Sequence, residues 1–459
     1  MITTTTHGQV VFRDGLFVPW DQNSVNVSSV SVQYGYGCLD GLVATLSESP
    51  SGDLALVIPD GFAHAARHIY NSLRSVHFRS DSELGSLQAA LDAARKLDFS
   101  YFDSKGIYLP KSATGMPSDF IFIDYVSALV DLQKELLNAN FPFANYIRPF
   151  YSPTQVRLDG VDNDFAIAGS SYRHSISIMA EAWPRILGPR HPDFLGAPVL
   201  VVSDSTSPHP DSSLIQFKHS SAYAPHRGPA VAQKERYAKE TGEMVGDILL
   251  PDYSRKFLTE GSGSNLFVVR KVGDTIEVIT PPLEGVFPGV TQEIIFDFLT
   301  KYGKDLGIRV SRKEIPLNRE YLQDLSNSGG EIFLTGSAAG VFPVSQLIVP
   351  KTLFKKGEIG YEKFNFATGN ETVTALIRDF YRCFSVAQAC QIRRGARADL
   401  VVEEYVSHGI VIPIPAKASD SARDYFQNFN PAKKLPKPPD HCLTSGRVTA
   451  LQPRGQRVY

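Results

Sequence analysis

The sequence has little of what would assign it a role directly. Of its 459 residues only four are cysteine, namely Cys38, Cys383, Cys390 and Cys442, and no two form a C-x-x-C pair. That spacing suggests neither a zinc site nor a disulfide framework, and fits reduced thiols in an intracellular protein. The histidines, His191 and His209 among them, are scattered, so no metal site is expected. There is no surplus of one charge: 46 Lys and Arg face 48 Asp and Glu, a formal net charge of -2. A near-neutral chain gives no argument for nucleic acid or an anionic membrane as partner. No run of about 18 apolar residues occurs, so no membrane span is expected. The opening MITTTTHGQVVFRDG lacks the charged and apolar blocks of a secretory signal. No internal repeat of fixed period is visible. A cytoplasmic chain is expected, without metal, nucleic acid or membrane. These absences do not separate an enzyme from a scaffold.

What is present is ordinary globular material, 43% hydrophobic and 20% charged. At about 150 residues per domain the length predicts two to four domains, with core enough to need no staples. Residues 9–20 read as a hairpin around Asp14-Gly15. Residues 25–34 alternate as a half-buried strand, and GLVATLSE (41–48) reads as another. Helical spacing runs over 60–74, where Phe62, Ala66, Ile69 and Leu73 form one stripe, and again over 84–97 and 119–138. Strands are expected at 145–152, within 164–186 and at 198–205, then a helix over 228–241 entered near Pro229. Beyond it lie a hairpin turning at Gly273-Asp274, helices at 290–307, 318–328 and 371–386, and a strand, glycine turn and strand over 331–347. Helices mixed with antiparallel hairpins indicate an α+β fold. After 387 the pattern becomes irregular. The proline-interleaved Lys433, Lys434 and Lys437 read as a solvated tail, so disorder or a surface strap is expected there.

Three segments carry chemistry. In TEGSGSNLF (259–267) a glutamate precedes a glycine-serine run and an apolar strand; alone, this is any glycine-rich turn. In GVFPGVTQEII (285–295) Gly289 lets the backbone approach a ligand, and the N–H groups of Val290 and Thr291 open a helix. Such a terminus binds phosphate, although Pro-Gly-x-Thr is also an ordinary helix cap. FLTGSAAGVFPV (333–344) runs a strand into small residues, either an anion nest or a close-packed turn.

In this order the three resemble the class IV aminotransferases, the fold-type IV pyridoxal-phosphate enzymes, and within them the branched-chain amino acid aminotransferases. Those carry E-G-x-x-x-N-[LI]-F, P-G-[IV]-T-R and T-G-[TS]-A-A. The family's K-x-x-x-N-Y is matched by Lys218 to Tyr223, with Ala222 in place of Asn. Its Y-G-x-x-[VF]-F-E-G resembles Tyr34 to Gly41, its H-x-x-R-L resembles His64 to His68 with Ile69, and its Y-[IV]-R-P is matched at Tyr146-Ile147-Arg148-Pro149. Seven motifs in the correct order, over roughly residues 9 to 385, make the resemblance specific.

The resemblance implies the roles. Lys218 would form the internal aldimine with pyridoxal 5'-phosphate and then move the proton between Cα and the cofactor. Glu260 would face the pyridine nitrogen and keep the ring an electron acceptor. Tyr223 would bond the phenolic oxygen. Arg67, with Gly289, Val290, Thr291 and Ser337, would bind the phosphate. Tyr34, Tyr146 and Arg148 would line the substrate side, with Ala338 and Ala339 at the α-carboxylate. The implied reaction is transamination of an L-amino acid, branched-chain or aliphatic, with 2-oxoglutarate in a homodimer.

Some positions depart from the pattern. Leu39 replaces Phe, Asp40 replaces Glu, Val43 stands where bacterial branched-chain enzymes often have Arg, Gln292 replaces Arg, and Ser337 replaces Thr. Two alternatives therefore stand beside the first reading. One is another class IV activity, a D-amino acid or amine aminotransferase or an aminodeoxychorismate-type lyase. The other is a non-catalytic scaffold that keeps the fold. The family pattern implies a small N-terminal domain over 1–155 with an insertion near 76–118, and a large cofactor-binding domain over 156–386. A C-terminal extension, 387–459, completes the chain.

Overall fold

In the computed structural model of the chain, the described residues are 10–25, 31–32, 35–48, 54–77, 79–109, 121–138, 146–153, 174–181, 199–209, 217–243, 245–337, 340–385, 391–392, 400–401 and 410–414. The alternating residues of 10–19 close as the expected hairpin, β1 (Val10–Arg13) on β2 (Leu16–Pro19). Asp14 and Gly15 at its turn both have positive φ, the twist a two-residue hairpin needs. β1 continues onto β8 (His174–Glu181), β7 (Tyr146–Pro153) and β3 (Cys38–Leu39), and β4 (Leu42–Val43) also pairs with β7. Of the strand expected over 25–34 most lies outside the described residues; its described pair, Ser31 and Val32, is helical.

Helix α1 (Gly61–Ser75) is buried on nearly every side, because its apolar stripe is filled out by small alanines and by polar residues with partners. It packs against β3 and against the helices that follow. The segment 76–118, expected to be an insertion, supplies three short ones: α2 (Asp81–Leu84), α3 (Leu87–Arg95) and α4 (Phe99–Lys105). Ser80 and Glu83 make a reciprocal capping box at α2, and the Ser86 hydroxyl accepts from Ala89 N at 3.1 Å to start α3. Leu84, Ala90, Leu91, Ala94 and Phe102 join α5 (Phe122–Asn138) in one core with α1, β7 and β8.

The irregular tail also contributes. β5 (Thr45–Glu48) pairs with β6 (Leu54–Ile58), and β6 takes β22 (Ile410–Pro413) as its second neighbour, with Ile410 opposite Ile58 and Ile412 opposite Leu56. Ile410, Ile412 and Ile414 alternate into the same core as α1. Between lie the small pair β20 (Gln391–Ile392) and β21 (Leu400–Val401).

A second, mixed sheet runs β14 (Ile308–Arg312), β13 (Thr275–Thr280), β12 (Asn265–Val272), β11 (Phe257–Gly261), β10 (Asp247–Pro251), β9 (Val199–Val202), β18 (Gln346–Pro350) and β19 (Tyr361–Asn365). β15 (Ile315–Pro316) pairs with β11, and β16 (Glu331–Gly336) joins β12 to β17 (Gly340–Val344). Alternation divides its residues between two cores. Phe267, Val269, Phe333 and Val341 face helices α7 (Val290–Tyr302) and α9 (Val373–Ser385). Leu266, Val268, Ile332 and Leu334 pack on the other side, with Leu322 and Leu325 of α8 (Arg319–Asn327). Helix α6 begins at Ser220 rather than near 228 and runs to Thr241. Pro229 therefore lies inside it instead of opening it; the start is set by tertiary pairing, since the Lys218 carbonyl accepts from Leu39 N at 3.0 Å and His219 bridges to Cys38. Among the described residues no helix is long and apolar enough to cross a membrane.

Candidate active site

The short connection Phe287-Pro288-Gly289 before α7 is where the chemistry-bearing segments meet. It is short and stiff, with a proline, and its backbone is held from two directions. Phe287 N–H donates to Glu260 Oε2 at 3.0 Å, and Phe287 C=O accepts from Asn265 Nδ2 at 2.7 Å. Gly289 is the only residue type that fits: a Cβ there would collide with Asn265 Oδ1. No side chain caps α7 at Gly289, and Val290 and Thr291 are buried in its first turn. A buried helix start of this kind suits an anion.

From the other sheet, α1 brings His64 and Arg67. Arg67 is buried, and its guanidinium is held as a fork. Nε donates to Asp40 Oδ2 at 3.0 Å, Nη2 to Asp40 Oδ1 at 2.5 Å and to His64 Nδ1 at 3.1 Å, and Nη1 to Pro288 C=O at 3.1 Å. Four of its five N–H groups are thus committed. Asp40 is buried too, which pushes its carboxyl up, but the Arg67 charge together with His64 and the Lys218 charge outweighs burial and holds it well below the usual carboxylate range. Burial pushes the His64 imidazole down, so it is neutral near pH 7. Its Nδ1 accepts from Arg67, which can only donate, so the ring proton sits on Nε2, 3.4 Å from Ser337 Oγ.

Lys218 Nζ lies 3.7 Å from Asp40 Oδ1 and 5.0 Å from the centre of the Phe287 ring, and the Arg67 guanidinium carbon lies at the same distance over that ring. One aromatic ring thus meets both cations. Thr291 Oγ1 pairs with the Tyr381 hydroxyl of α9 at 3.2 Å, and Gln292 Nε2 donates to Thr280 Oγ1 at 2.7 Å. At the edge of the site, β7 presents Tyr146 and Arg148. Arg148 Nη2 donates to the Tyr146 hydroxyl at 2.7 Å, and that hydroxyl packs over Gly41, next to Asp40.

The structure therefore brings together Arg67, Lys218, Glu260, Gly289, Val290, Thr291 and Ser337, with Tyr146 and Arg148 beside them. Tyr223 falls in the first turn of α6, its side chain outside the described residues; Tyr34, Ala338 and Ala339 also lie outside them. Four residues at the centre were not singled out from the sequence: Asp40, His64, Asn265 and Phe287. Each sits inside a quoted motif, so the motif was the available signal. What hid them is that each acts on a neighbour rather than on a ligand.

The donor set fits pyridoxal phosphate. The uncapped start of α7 and the Arg67 charge suit a phosphate, Glu260 is a buried carboxylate fixed at the sheet face, and Lys218 supplies an amine. One buried hydroxyl at this face, Thr335 Oγ1, has no hydrogen-bond partner among the described residues.

Comparison with known proteins covers part of the same site. The sequence model of the family described as Amino-transferase class IV matches residues 126–347. A branched-chain-amino-acid aminotransferase of Mycobacterium tuberculosis (strain ATCC 25618 / H37Rv) is 25% identical over 322 residues, 69% of this chain and 75% of that protein. Among solved structures, the branched-chain amino acid aminotransferase of Thermobaculum terrenum in its PLP form superposes with a TM-score of 0.54 at 17% identity, covering 89% of this chain and 99% of that one. The branched-chain aminotransferase of Thermoproteus uzoniensis with norvaline gives a TM-score of 0.51 at 19% identity, over 89% and 100%. At these identities the structural likeness concerns the fold.

Proposed function

We propose that this chain is a class IV aminotransferase, the family whose sequence model matches residues 126–347, and that it moves the amino group of an L-amino acid, branched-chain or aliphatic, to 2-oxoglutarate with pyridoxal 5'-phosphate. The observation that carries the reading is the convergence on Phe287-Pro288-Gly289. The Arg67 guanidinium, the Glu260 carboxylate and an uncapped helix start meet at these three residues, and the Lys218 amine lies 5.0 Å from the centre of the Phe287 ring.

When bound, pyridoxal phosphate supplies a conjugated ring that takes up the electron pair of a Cα–H bond. The chain's own groups do the rest. Lys218 is the residue that holds the cofactor, and its Nζ carries the proton between the substrate carbon and its acceptor. Asp40 keeps a negative charge beside that amine, and the Phe287 ring lies against the two cations. Glu260, oriented by the Phe287 N–H, would serve the ring nitrogen, and Tyr223 would serve the ring oxygen. Arg67 adds its charge and its remaining N–H to the phosphate, with Val290, Thr291 and Ser337. Neutral His64 directs its Nε2 proton to Ser337, which leaves the Ser337 hydroxyl hydrogen for the phosphate. Arg148, held by Tyr146, meets the substrate carboxylate, with Tyr34, Ala338 and Ala339 completing that wall.

The working unit in this reading is a cytoplasmic homodimer. Each chain divides near 155 into a small and a large domain, followed by the extension from 387. The two sheets, drawn from residues 10–181 and 199–365, support the division, and the site takes residues from both. The test is direct. Wild type, titrated with pyridoxal phosphate, is expected to gain the visible absorbance of attached cofactor and to transfer amino groups from an L-amino acid panel to 2-oxoglutarate. Lys218→Ala is expected to lose the attached band and at least a thousandfold in turnover. Full turnover by that variant refutes the assignment.

A further inference from the structure

Thr335 is fully buried, and its Oγ1 has no hydrogen-bond partner among the described residues. A buried hydroxyl left this way is unfavourable, and packing does not account for it. Its position is defined by the sheet register. Thr335 stands opposite Asn265 across β16 and β12, and Asn265 stands opposite Glu260 across β12 and β11. Directly opposed residues share a face of the sheet, so Glu260, Asn265 and Thr335 form one cross-strand row. The first two show where the row points: Asn265 donates to Phe287 C=O, and Glu260 accepts from Phe287 N–H. Ser337, two residues beyond Thr335, reaches His64.

The sheet does not require the hydroxyl. Along the same face the next residues are the stacked rings of Phe267 and Phe333. Valine has the same shape as threonine and the same preference for strands, and it would satisfy that apolar surface without burying an oxygen. The hydroxyl is accounted for if its partner arrives with a ligand.

We propose that Thr335 is a further cofactor-binding residue, whose hydroxyl takes its hydrogen bond from the bound pyridoxal phosphate or from a water held with it. This rests on the functional reading above. It extends the ring-nitrogen side of the site from a lone carboxylate to a three-residue polar row, of which the last member is satisfied only in the loaded protein.

The experiment compares wild type, Thr335→Val and Thr335→Ser as full-length chains, by melting temperature without cofactor and by equilibrium titration with pyridoxal phosphate. Thr335→Val is expected to melt about 1–3 °C higher than wild type without cofactor, because an unsatisfied polar atom has been removed. It is expected to bind pyridoxal phosphate about tenfold more weakly, the loss of one hydrogen bond. Thr335→Ser keeps the hydroxyl and is expected to stay within threefold of wild type. Binding by Thr335→Val within twofold of wild type overturns the proposal. So does a lowered melting temperature of the free variant, which would mean that the hydroxyl has a structural partner. A wild-type chain that takes up no pyridoxal phosphate overturns the functional reading itself, an outcome the wild-type arm registers separately.

Discussion

Replacing Asp40 by asparagine keeps the side-chain shape and removes one charge from the centre of the site. Asp40 and Arg67 are each about 1% exposed, bonded through two nitrogens at 2.5 and 3.0 Å. Neither can turn to water when the other is lost. Breaking such a pair from one side leaves a buried, uncompensated guanidinium, at about 3–5 kcal/mol. Against a typical folding stability of about 5–15 kcal/mol that is a large fraction. With a urea slope of about 3 kcal/mol/M, the upper end of the usual range for a chain this long, the unfolding midpoint moves down by about 1–1.7 M. The pH dependence has a fixed sign. The folded-state pKa of Asp40 lies below the unfolded value of about 3.9, so its stabilisation is complete above that value and disappears as pH falls through the folded one. The gap between wild type and Asp40→Asn is therefore full at pH 7 and closes in acid. Urea titrations of both proteins at pH 7 and at successively lower pH measure it. A gap under about 0.3 M at pH 7, or one that does not narrow below pH 4, refutes the argument that the Asp40 charge holds Arg67.

Two further perturbations test how the added segments support the site. Arg95 of α3 bonds Asp60, the residue that precedes α1, at 2.8 Å, and reaches Asp297 of α7 at 3.6 Å. Arg95→Met leaves the buried Asp60 carboxylate alone and is expected to destabilise by about 3–5 kcal/mol, read by thermal unfolding. Asp297→Asn, at a half-exposed position, is expected to change stability by less than about 1 kcal/mol; equal effects would mean that burial is not what decides. Ile412→Ala, in the tail strand, is expected to destabilise by about 2–5 kcal/mol in chemical denaturation, as a core substitution does. A neutral result would mean that β22 is not part of the core.

The site was legible in the sequence wherever a residue type has to meet a ligand. Lys218, Glu260, Arg67 and the Pro-Gly-Val-Thr turn stand in motifs whose chemistry dictates their order, and the structure gathers them around Phe287-Pro288-Gly289. Asp40, His64, Asn265 and Phe287 were not legible as site residues, because what they do depends on a neighbour brought from elsewhere in the chain. The Asp40 partner is 27 positions away and that of Asn265 is 22. No local pattern records such distances. The same holds for the start of α6, where Pro229 suggested one boundary and pairing with β3 imposed another.

The chain's lack of cysteine pairs, excess charge and long apolar runs gave no argument for a disulfide framework, nucleic acid or a membrane span, and named no fold. Periodicity decided the elements, because alternation and helical spacing are local properties of backbone geometry. Tertiary structure alone decided what the surplus length is for. The described residues of 76–109 and the strand at 410–413 carry none of the motifs, yet both pack into the core that holds α1 in place. Burial is a property of the whole fold. Leu84, Phe102 and Ile412 look like scattered apolar residues until β6, α1 and α5 are assembled around them.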